Sequence, residues 1–192
     1  MPKPSLVEIL SLPDVLLQDN FDMYFTYSPV LSETEVRDLR LRCMSTSMPG
    51  RTMEAAQVMV FGYTVNFAGR NTTTQTFTVN YVETRNLVVN RTLKRWTDLC
   101  RSKITGHGVS KQYYAGRAII VLYSEGGAVA GELELINVWP ETIPEVQLDG
   151  SSTGIIQLSA SFKFDEFVWR YAGGADATAS PIQVPSNLED DG

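Results

Sequence analysis

Histidine and cysteine are scarce in this sequence, and their scarcity excludes several kinds of chemistry. Its 192 residues include one histidine, His107, and two cysteines, Cys43 and Cys100. Two cysteines are too few for a disulfide scaffold, and we interpret them as reduced, buried thiols. No Cys or His cluster has metal-ligand spacing, and no glycine-rich phosphate loop follows a strand. We therefore expect no catalytic residue, no metal, no cofactor and no enzymatic activity.

Long apolar runs and an excess of positive charge are also missing. No apolar run approaches the length of about 20 residues that crosses a bilayer, so we expect no membrane span. The first 17 residues include three prolines and two acidic residues, unlike a signal peptide, and we expect synthesis in the cytoplasm. The net charge of −6 argues against binding nucleic acid by neutralising phosphates. It does not exclude a surface along which nucleic acid slides without sticking.

Alternation of apolar and polar side chains predicts a mainly β protein. About seven segments show this pattern: 21–27, 37–46, 57–67, 74–83, 118–124, 132–138 and 156–164. One helix is predicted over 86–104, because Val89, Leu93, Trp96 and Cys100 recur at helical spacing. Thr84 or Asn86 would cap its start. The predicted fold is an antiparallel β-sandwich or barrel with one α-helix packed on its side.

Two of the predicted strands, 57–67 and 74–83, form a hairpin that turns at residues 69–71. One face carries bulky residues, among them Met59, and we expect Phe61, Tyr63, Phe77 and Tyr81 of this face inside the subunit. The other face carries small or polar residues: Gly62, Thr64, Asn66, Thr76, Thr78 and Asn80. A sheet with these two faces packs on a core with one side and shows a neutral surface with the other.

Proline, glycine and charge mark the predicted boundaries. Trp139-Pro140 should end the strand at 132–138, because proline lacks a ladder donor. We divide the chain into an N-terminal arm (1–19), a β domain (20–170) and a flexible acidic C-terminal tail (171–192). The helix also has a basic side, either a solvated face or a seam for an acidic neighbour.

Several motifs follow one another in a definite order between about Phe21 and Trp169. They are Cys43, Thr46 and Pro49 at a strand exit; Val65-Asn66-Phe67-Ala68-Gly69; Phe77-Thr78-Val79; the helix bearing Trp96; the strand near Ile119; Trp139-Pro140; and Gln147-Leu148-Asp149. In this order the motifs resemble those of the tail tube proteins of contractile-tailed bacteriophages. The N-terminal arm and the tail after Tyr171 extend beyond the pattern.

The resemblance implies a structural virion protein of the phage tail, made in the host cytoplasm. Six copies would form a ring whose hairpins close one β-barrel, and stacked rings would form the inner tube of the tail. The chain's partners would be itself, the sheath protein, the baseplate and terminator proteins, and phage DNA passing through the lumen without specific binding. The small face of the hairpin would line the lumen. The loop 45–56 would contact the next ring through Met48, Pro49, Gly50, Arg51 and Met53, while Val89, Leu93, Trp96 and Cys100 would hold the helix on the sheet.

Three alternatives remain open from the sequence. A baseplate tube initiator would share the fold, and the type VI secretion tube is related but lacks the matches at Trp-Pro and Gln-Leu-Asp. A monomeric β-barrel that binds a small ligand belongs to a different class.

Overall fold

The structure is a computed structural model that describes residues 16–143, 146 and 154–171. This part of the chain contains nine strands, two α-helices and one 3₁₀ helix. In chain order they are β1 (Phe21–Tyr27), α1 (Glu33–Arg42), β2 (Cys43–Thr46), β3 (Arg51–Val60), β4 (Tyr63–Thr73), β5 (Thr76–Val82), α2 (Val88–Cys100), the 3₁₀ helix (Lys111–Tyr113), β6 (Gly116–Tyr123), β7 (Val129–Thr142), β8 (Gln157–Lys163) and β9 (Glu166–Tyr171). The mainly β, antiparallel class is confirmed. Most of the predicted arm and tail lie outside the described residues.

Strand β7 joins two antiparallel sheets because it is long enough to belong to both. Its first part pairs with β6 and β9, and β6 also pairs with β1. Its last part, from Trp139, pairs with β8, which leads through β5 to β2. The remaining strands, β3 and β4, pair with each other as a separate two-stranded sheet.

The prediction that Trp139-Pro140 ends a strand is wrong. Strand β7 continues to Thr142, and Pro140 lies opposite Phe162 of β8. The chain bends just before, at Asn137, whose φ is +59°. Asparagine tolerates this left-handed conformation better than most residues. Proline is accommodated because the strand is leaving one sheet and entering the other at this point.

Asp165, in the turn between β8 and β9, holds this bend in place. Its carboxylate accepts hydrogen bonds from Lys111 Nζ at 2.5 and 2.6 Å and from Asn137 Nδ2 at 2.7 Å. The hydrogen bond from Lys111 is the largest cause of the lowered pKa of Asp165, and the Asn137 amide contributes in the same direction. Asp165 therefore ties the 3₁₀ helix and the β7 bend to the β8–β9 turn.

The Asp165 contacts predict a specific dependence of stability on pH. Because the folded-state pKa lies below the ordinary value of 3.8, the stabilisation is complete above that value and is lost as pH falls through the folded pKa. We expect Asp165→Asn to melt below the unsubstituted protein at pH 7, and the difference to shrink as pH falls below about 4. Melting curves from pH 7 to pH 2.5 measure this. A difference that is independent of pH would show that the charge of Asp165 does not stabilise the bend.

The core between the two sheets is dominated by aromatic side chains. Trp96 of α2 is fully buried, and its ring centroid lies 5.3 Å from that of Phe25 and 6.1 Å from that of Phe162. Phe162 stacks in turn on Phe77, at 5.3 Å. Helix α2 therefore contributes its largest side chain to the interior of the sheets.

The segment 37–46 is not a single strand, as the alternation had predicted, but the end of helix α1 followed by the short strand β2. Ser32 and Glu35 form a capping box: the Ser32 hydroxyl accepts from the Glu35 N–H, and the Glu35 carboxylate accepts from the Ser32 N–H at 2.9 Å. This cap fixes the helix start and outweighs the alternation that follows. Of the helix residues only Leu39 is buried.

Helix α2 starts from a cap that the sequence did not reveal. Leu87 precedes the helix with a φ of +50° and provides no side-chain cap. Instead, Glu83 at the end of β5 accepts from the N–H groups of Val89 at 3.1 Å and Asn90 at 2.8 Å. Thr84 Oγ1, one of the two predicted caps, accepts from the Val88 N–H at 3.2 Å. A carboxylate at this end of the helix is also favoured by the helix dipole.

Removing the Glu83 carboxylate should destabilise the subunit. We expect Glu83→Ala to lower the free energy of unfolding by about 1–2 kcal/mol, because it leaves helix N–H groups without their acceptor. Glu83→Gln keeps an acceptor and loses the charge, so its cost should be roughly 0.5–1 kcal/mol. Urea unfolding of the two variants measures both values. Equal stability of Glu83→Ala and the unsubstituted protein would contradict the assigned cap.

Candidate functional site

One side of the sheet formed by β2, β5 and β8 is lined by polar residues that are uncharged except for Lys163. On β5, Phe77, Val79 and Tyr81 point into the core, while the alternate residues reach the surface. The opposite strands continue the pattern, since Asn80 lies opposite Ser159, and its amide donates to Ser45 Oγ at 2.8 Å. The surface residues of this side are Ser45, Thr76, Thr78, Asn80, Gln157, Ser159, Ser161 and Lys163. We call it the neutral face.

Three of the residues predicted to line a lumen, Thr76, Thr78 and Asn80, lie together on this neutral face. The contribution of β8 was not predicted as part of the site. Its signal was present in the sequence, because Gln157, Ser159 and Ser161 alternate with buried Leu158, Ala160 and Phe162. The register of β5 against β8 then brings the two polar rows side by side.

The other three predicted residues, Gly62, Thr64 and Asn66, lie on a hairpin that projects from the body. The hairpin is formed by β3 and β4, so the prediction that 57–67 is one strand pairing with 74–83 is wrong. Phe61 and Gly62 form its two-residue turn, with φ values of +49° and +82°. Positive φ at both positions is typical of a type I′ turn, which matches the twist of the two strands. Gly62 is therefore a turn residue, and Thr64 and Asn66 lie on the return strand.

Residues 69–71, predicted as the turn, lie instead within β4 beside a β-bulge. The register shifts between the pair Ala55–Ala68 and the pair Met53–Asn71. Gly69 is required here, because a Cβ atom would lie 2.8 Å from the backbone oxygen of Glu54. Such a close approach of two backbones is a common reason for glycine in a strand.

The two faces of the projecting hairpin differ in polarity. Cross-strand partners share a face, and next to the turn Val60 lies opposite Tyr63, and Val58 opposite Val65. The pair Ala56–Phe67 extends this apolar face. The opposite face carries the pairs Met59–Thr64, Gln57–Asn66 and Ala55–Ala68. The predicted bulky face is thus present for β4, whereas Met59 lies on the polar side because the turn comes earlier than expected.

Both faces of this hairpin are exposed in the single chain, from Arg51 through Thr72. Phe61 is 97% exposed and Tyr63 is 78% exposed, so the prediction that they pack inside the subunit is wrong. Phe77 and Tyr81 are buried as expected. A two-stranded hairpin without a packed face is marginally stable in water. This exposed apolar hairpin is the strongest indication of function in the described structure.

The predicted ring-stacking loop, 45–56, is mostly strand. Ser45 and Thr46 end β2, residues 47–50 link the strands, and Arg51 begins β3. Met48, Gly50, Arg51 and Met53 are exposed, whereas Pro49 is buried. The loop prediction failed because Thr52–Ala56 alternates too weakly in polarity to indicate a strand by itself.

Of the four residues predicted to hold the helix on the sheet, three are fully buried and one is only partly buried. Val89, Leu93 and Trp96 are completely buried, and Cys100 is partly buried at the end of the helix. On the basic side of α2, Arg95 is paired within the subunit: it donates to the Val30 carbonyl at 2.9 Å and to Glu35 at 2.6 Å. The basic side therefore also serves to join α2 to α1.

The described residues offer little for chemistry. Burial raises the pKa of both thiols, Cys43 and Cys100, to about 11, so they stay protonated and weakly nucleophilic. Within the described ranges no three Cys, His, Asp or Glu side chains are grouped to hold a metal. The two helices of this part are too short or too polar to cross a membrane.

Comparison with protein-family models identifies the family to which this β fold belongs. The model of the phage tail tube protein family matches residues 7–170, which is most of the chain. The chain belongs to the phage tail tube protein family. The family's members are structural components of tubes. A search of curated proteins gave no match.

Solved structures of contractile injection systems share the fold. The tube-terminating cap of the anti-feeding prophage is 12% identical, with a TM-score of 0.62 over 84% of this chain and 95% of that one. A chain of the anti-feeding prophage baseplate is 11% identical, with a TM-score of 0.63 over 83% and 98%. A chain of the PVC sheath–tube complex in the extended state is 14% identical, with a TM-score of 0.56 over 88% and 100%. At these identities the similarity concerns the fold.

Proposed function

We propose that this protein is the subunit of a hollow tube, the inner tube of a contractile phage tail, built from stacked six-membered rings. The observation that carries this proposal is the β3–β4 hairpin, whose apolar face is exposed in the single chain. Exposed apolar surface of this kind is typical of a site at which a soluble protein contacts a partner. The covering surface is a second copy, because tube proteins assemble with themselves.

The neutral face is the lumen wall of this tube. Apart from Lys163, its side chains end in uncharged hydroxyl and amide groups. The face therefore offers few ion pairs to a phosphate backbone. DNA can then pass through without being held. The overall charge of −6 works in the same direction.

The remaining partners follow from the position of such a tube in a tail. The sheath protein would surround the outer surface, and baseplate and terminator proteins would close the two ends. Two of the similar structures come from a baseplate and a tube-terminating cap, so end-binding roles use the same fold. The protein would then be a virion component, located in the tail.

Electron microscopy of the purified protein tests the proposal. We expect negative-stain images to show hollow fibres, and end-on views to show six-fold rings with a central channel. A tube initiator would give single rings or short stacks at every protein concentration, whereas a tube subunit gives fibres that lengthen with concentration. A monodisperse monomer at high concentration would contradict both assignments and favour a ligand-binding barrel.

A further inference from the structure

The tip of the hairpin carries an aromatic side chain that is not packed against its own subunit. Phe61 is 97% exposed, and its backbone has a φ of +49°. This conformation is unfavourable for a bulky residue, and type I′ turns prefer asparagine, aspartate or glycine there. A residue held in a strained conformation and fully exposed is a candidate for contacts outside the subunit.

An apolar groove lies close to the base of the same hairpin. Its volume is about 460 Å³, within the range of pockets that bury a ligand. Phe21 of β1 and Ile120 and Leu122 of β6 form one side, and Met48, in the link between β2 and β3, forms another. Leu16 and Leu17 also line the groove, together with the polar residues Gln18, Ser45 and Thr46, and Met48 at its rim is 51% exposed. A flexible thioether at the rim can adapt to an inserted side chain.

The hairpin tip and the groove of one chain are too far apart to touch, so a contact between them needs two copies. Strand β3 runs from Arg51 to Val60, which corresponds to roughly 33 Å at the rise of an extended strand. Met48 precedes β3 by three residues, so the groove and Phe61 lie at opposite ends of the hairpin. Paired strands cannot fold back on themselves. Phe61 can therefore reach this groove only on another copy, displaced by about one hairpin length.

We propose that Phe61 of one copy inserts into the groove beside Met48 and Leu122 of a copy in the next ring. This inference rests on the proposed stacking of rings and adds the side chain and the surface that form the axial contact. The contact joins two different surfaces, so it is heterologous, and between copies of successive rings such a contact would repeat along the tube axis. An aromatic anchor in an apolar pocket is the usual centre of such an interface.

Phe61→Asn separates the contact from the fold. Asn-Gly is the preferred type I′ sequence, so the variant keeps the turn and relieves the strain while removing the ring. We expect the melting temperature of the unassembled subunit to stay the same or to rise. We expect the protein concentration at which tubes form to rise about tenfold or more, as for the loss of a central interface residue. Assembly at unchanged concentration would overturn the proposal.

A substitution in the groove wall provides the second half of the test. Met48→Glu places a charge where Phe61 would enter, at a half-exposed position outside the strands. We expect the same loss of assembly, and the double variant should lose little more than either single variant, because both remove one contact. Fully additive losses would show that Phe61 and Met48 act in separate contacts.

Photo-crosslinking identifies the contact directly. Full-length protein with p-benzoylphenylalanine at position 61 would be assembled from a mixture of ¹⁴N and ¹⁵N copies, irradiated and digested. Crosslinked peptides joining light and heavy chains should contain Met48 or residues 120–122, whereas the same probe at position 57, on the polar face, should not reach them. Crosslinks to any other surface would overturn the groove assignment, including the case in which residues before Leu16 occupy it. That result leaves the tube intact. Failure of the unsubstituted protein to form tubes would instead contradict the proposed function.

Discussion

Replacing residues 51–73 by Asn-Gly is expected to abolish tubes while leaving a folded, soluble subunit. The Thr74 N–H donates to the Gly50 carbonyl at 3.3 Å, so the strands are already adjacent where the deletion joins them. Within the described core, no buried residue comes from the deleted segment. Strands β2 and β5 keep their own pairing, from Cys43–Tyr81 to Thr46–Val79. The deletion should therefore prevent assembly without disturbing the fold of the subunit.

The measurements are a melting curve, a sizing column and negative-stain images of the deletion variant. We expect cooperative unfolding close to that of the unassembled full-length subunit, and no stack longer than a ring. Tubes of normal length would show that the hairpin is dispensable and that another surface joins the copies. Loss of cooperative unfolding would instead place the hairpin in the fold of the subunit.

Paired substitutions on the two hairpin faces act as a matched control. Val58 and Val65 lie opposite each other on the apolar face, and Gln57 and Asn66 are the next pair on the polar face. Changing Val58 and Val65 to threonine preserves shape and strand preference but adds two hydroxyls that an interface must desolvate. We expect this pair to impair assembly and threonine at Gln57 and Asn66 to leave it unchanged. If the two pairs of substitutions impaired assembly equally, the partner would not be covering the apolar face alone.

The elements that were predictable from the sequence are those whose two sides face different environments in the single chain. β5 and β8 alternate because their inner residues fill the core, as Phe77 and Phe162 do. Helix α2 shows its period because Val89, Leu93 and Trp96 face the sheets. Burial within one subunit selects such patterns, and they can be read without knowledge of any partner.

The hairpin turn was missed because the local sequence there carries no turn signal, whereas a stronger one lies a few residues further on. Alternation runs without a break through Phe61-Gly62, and Phe-Gly is not a common hairpin turn. Gly69-Arg70-Asn71 offers a stronger turn signal but lies within β4 beside a bulge. Moving the turn by a few residues shifts the register, and each shift by one residue exchanges the two faces of a strand. This displacement is the reason Met59 and Phe61 were placed wrongly.

Two other errors came from signals of competing strength. The Ser32–Glu35 capping box was legible in the sequence, but our prediction of a strand used only the alternation of Leu39, Leu41 and Cys43. At Trp139-Pro140, the rule that proline ends a strand fails because β7 changes partners there. A strand shared by two sheets cannot be inferred from its own residues, since the change depends on where β8 and β9 lie.

Trp96→Ala is expected to have the largest effect of any single substitution on the stability of the subunit. The indole is fully buried between Phe25 and Phe162, and its Nε1–H donates to the Tyr114 carbonyl at 2.7 Å. Alanine would leave a cavity in the aromatic core and an unpaired carbonyl, at a cost of about 3–5 kcal/mol. Domains of this size are stable by only about 5–15 kcal/mol, so much of the stability would be lost.

Trp96→Phe separates the packing of the indole from its hydrogen bond. Phenylalanine fills most of the volume and removes the donor, so we expect a cost of roughly 1–3 kcal/mol, from the unpaired Tyr114 carbonyl and a small cavity. Urea unfolding of the unassembled subunit measures both variants, with hairpin-deleted protein as the background so that assembly does not contribute. Because α2 packs on β7, loss of its anchor should also lower the helical circular dichroism signal before the sheets unfold. An alanine variant as stable as the parent would show that the helix is held to the sheets by Val89 and Leu93 without the indole.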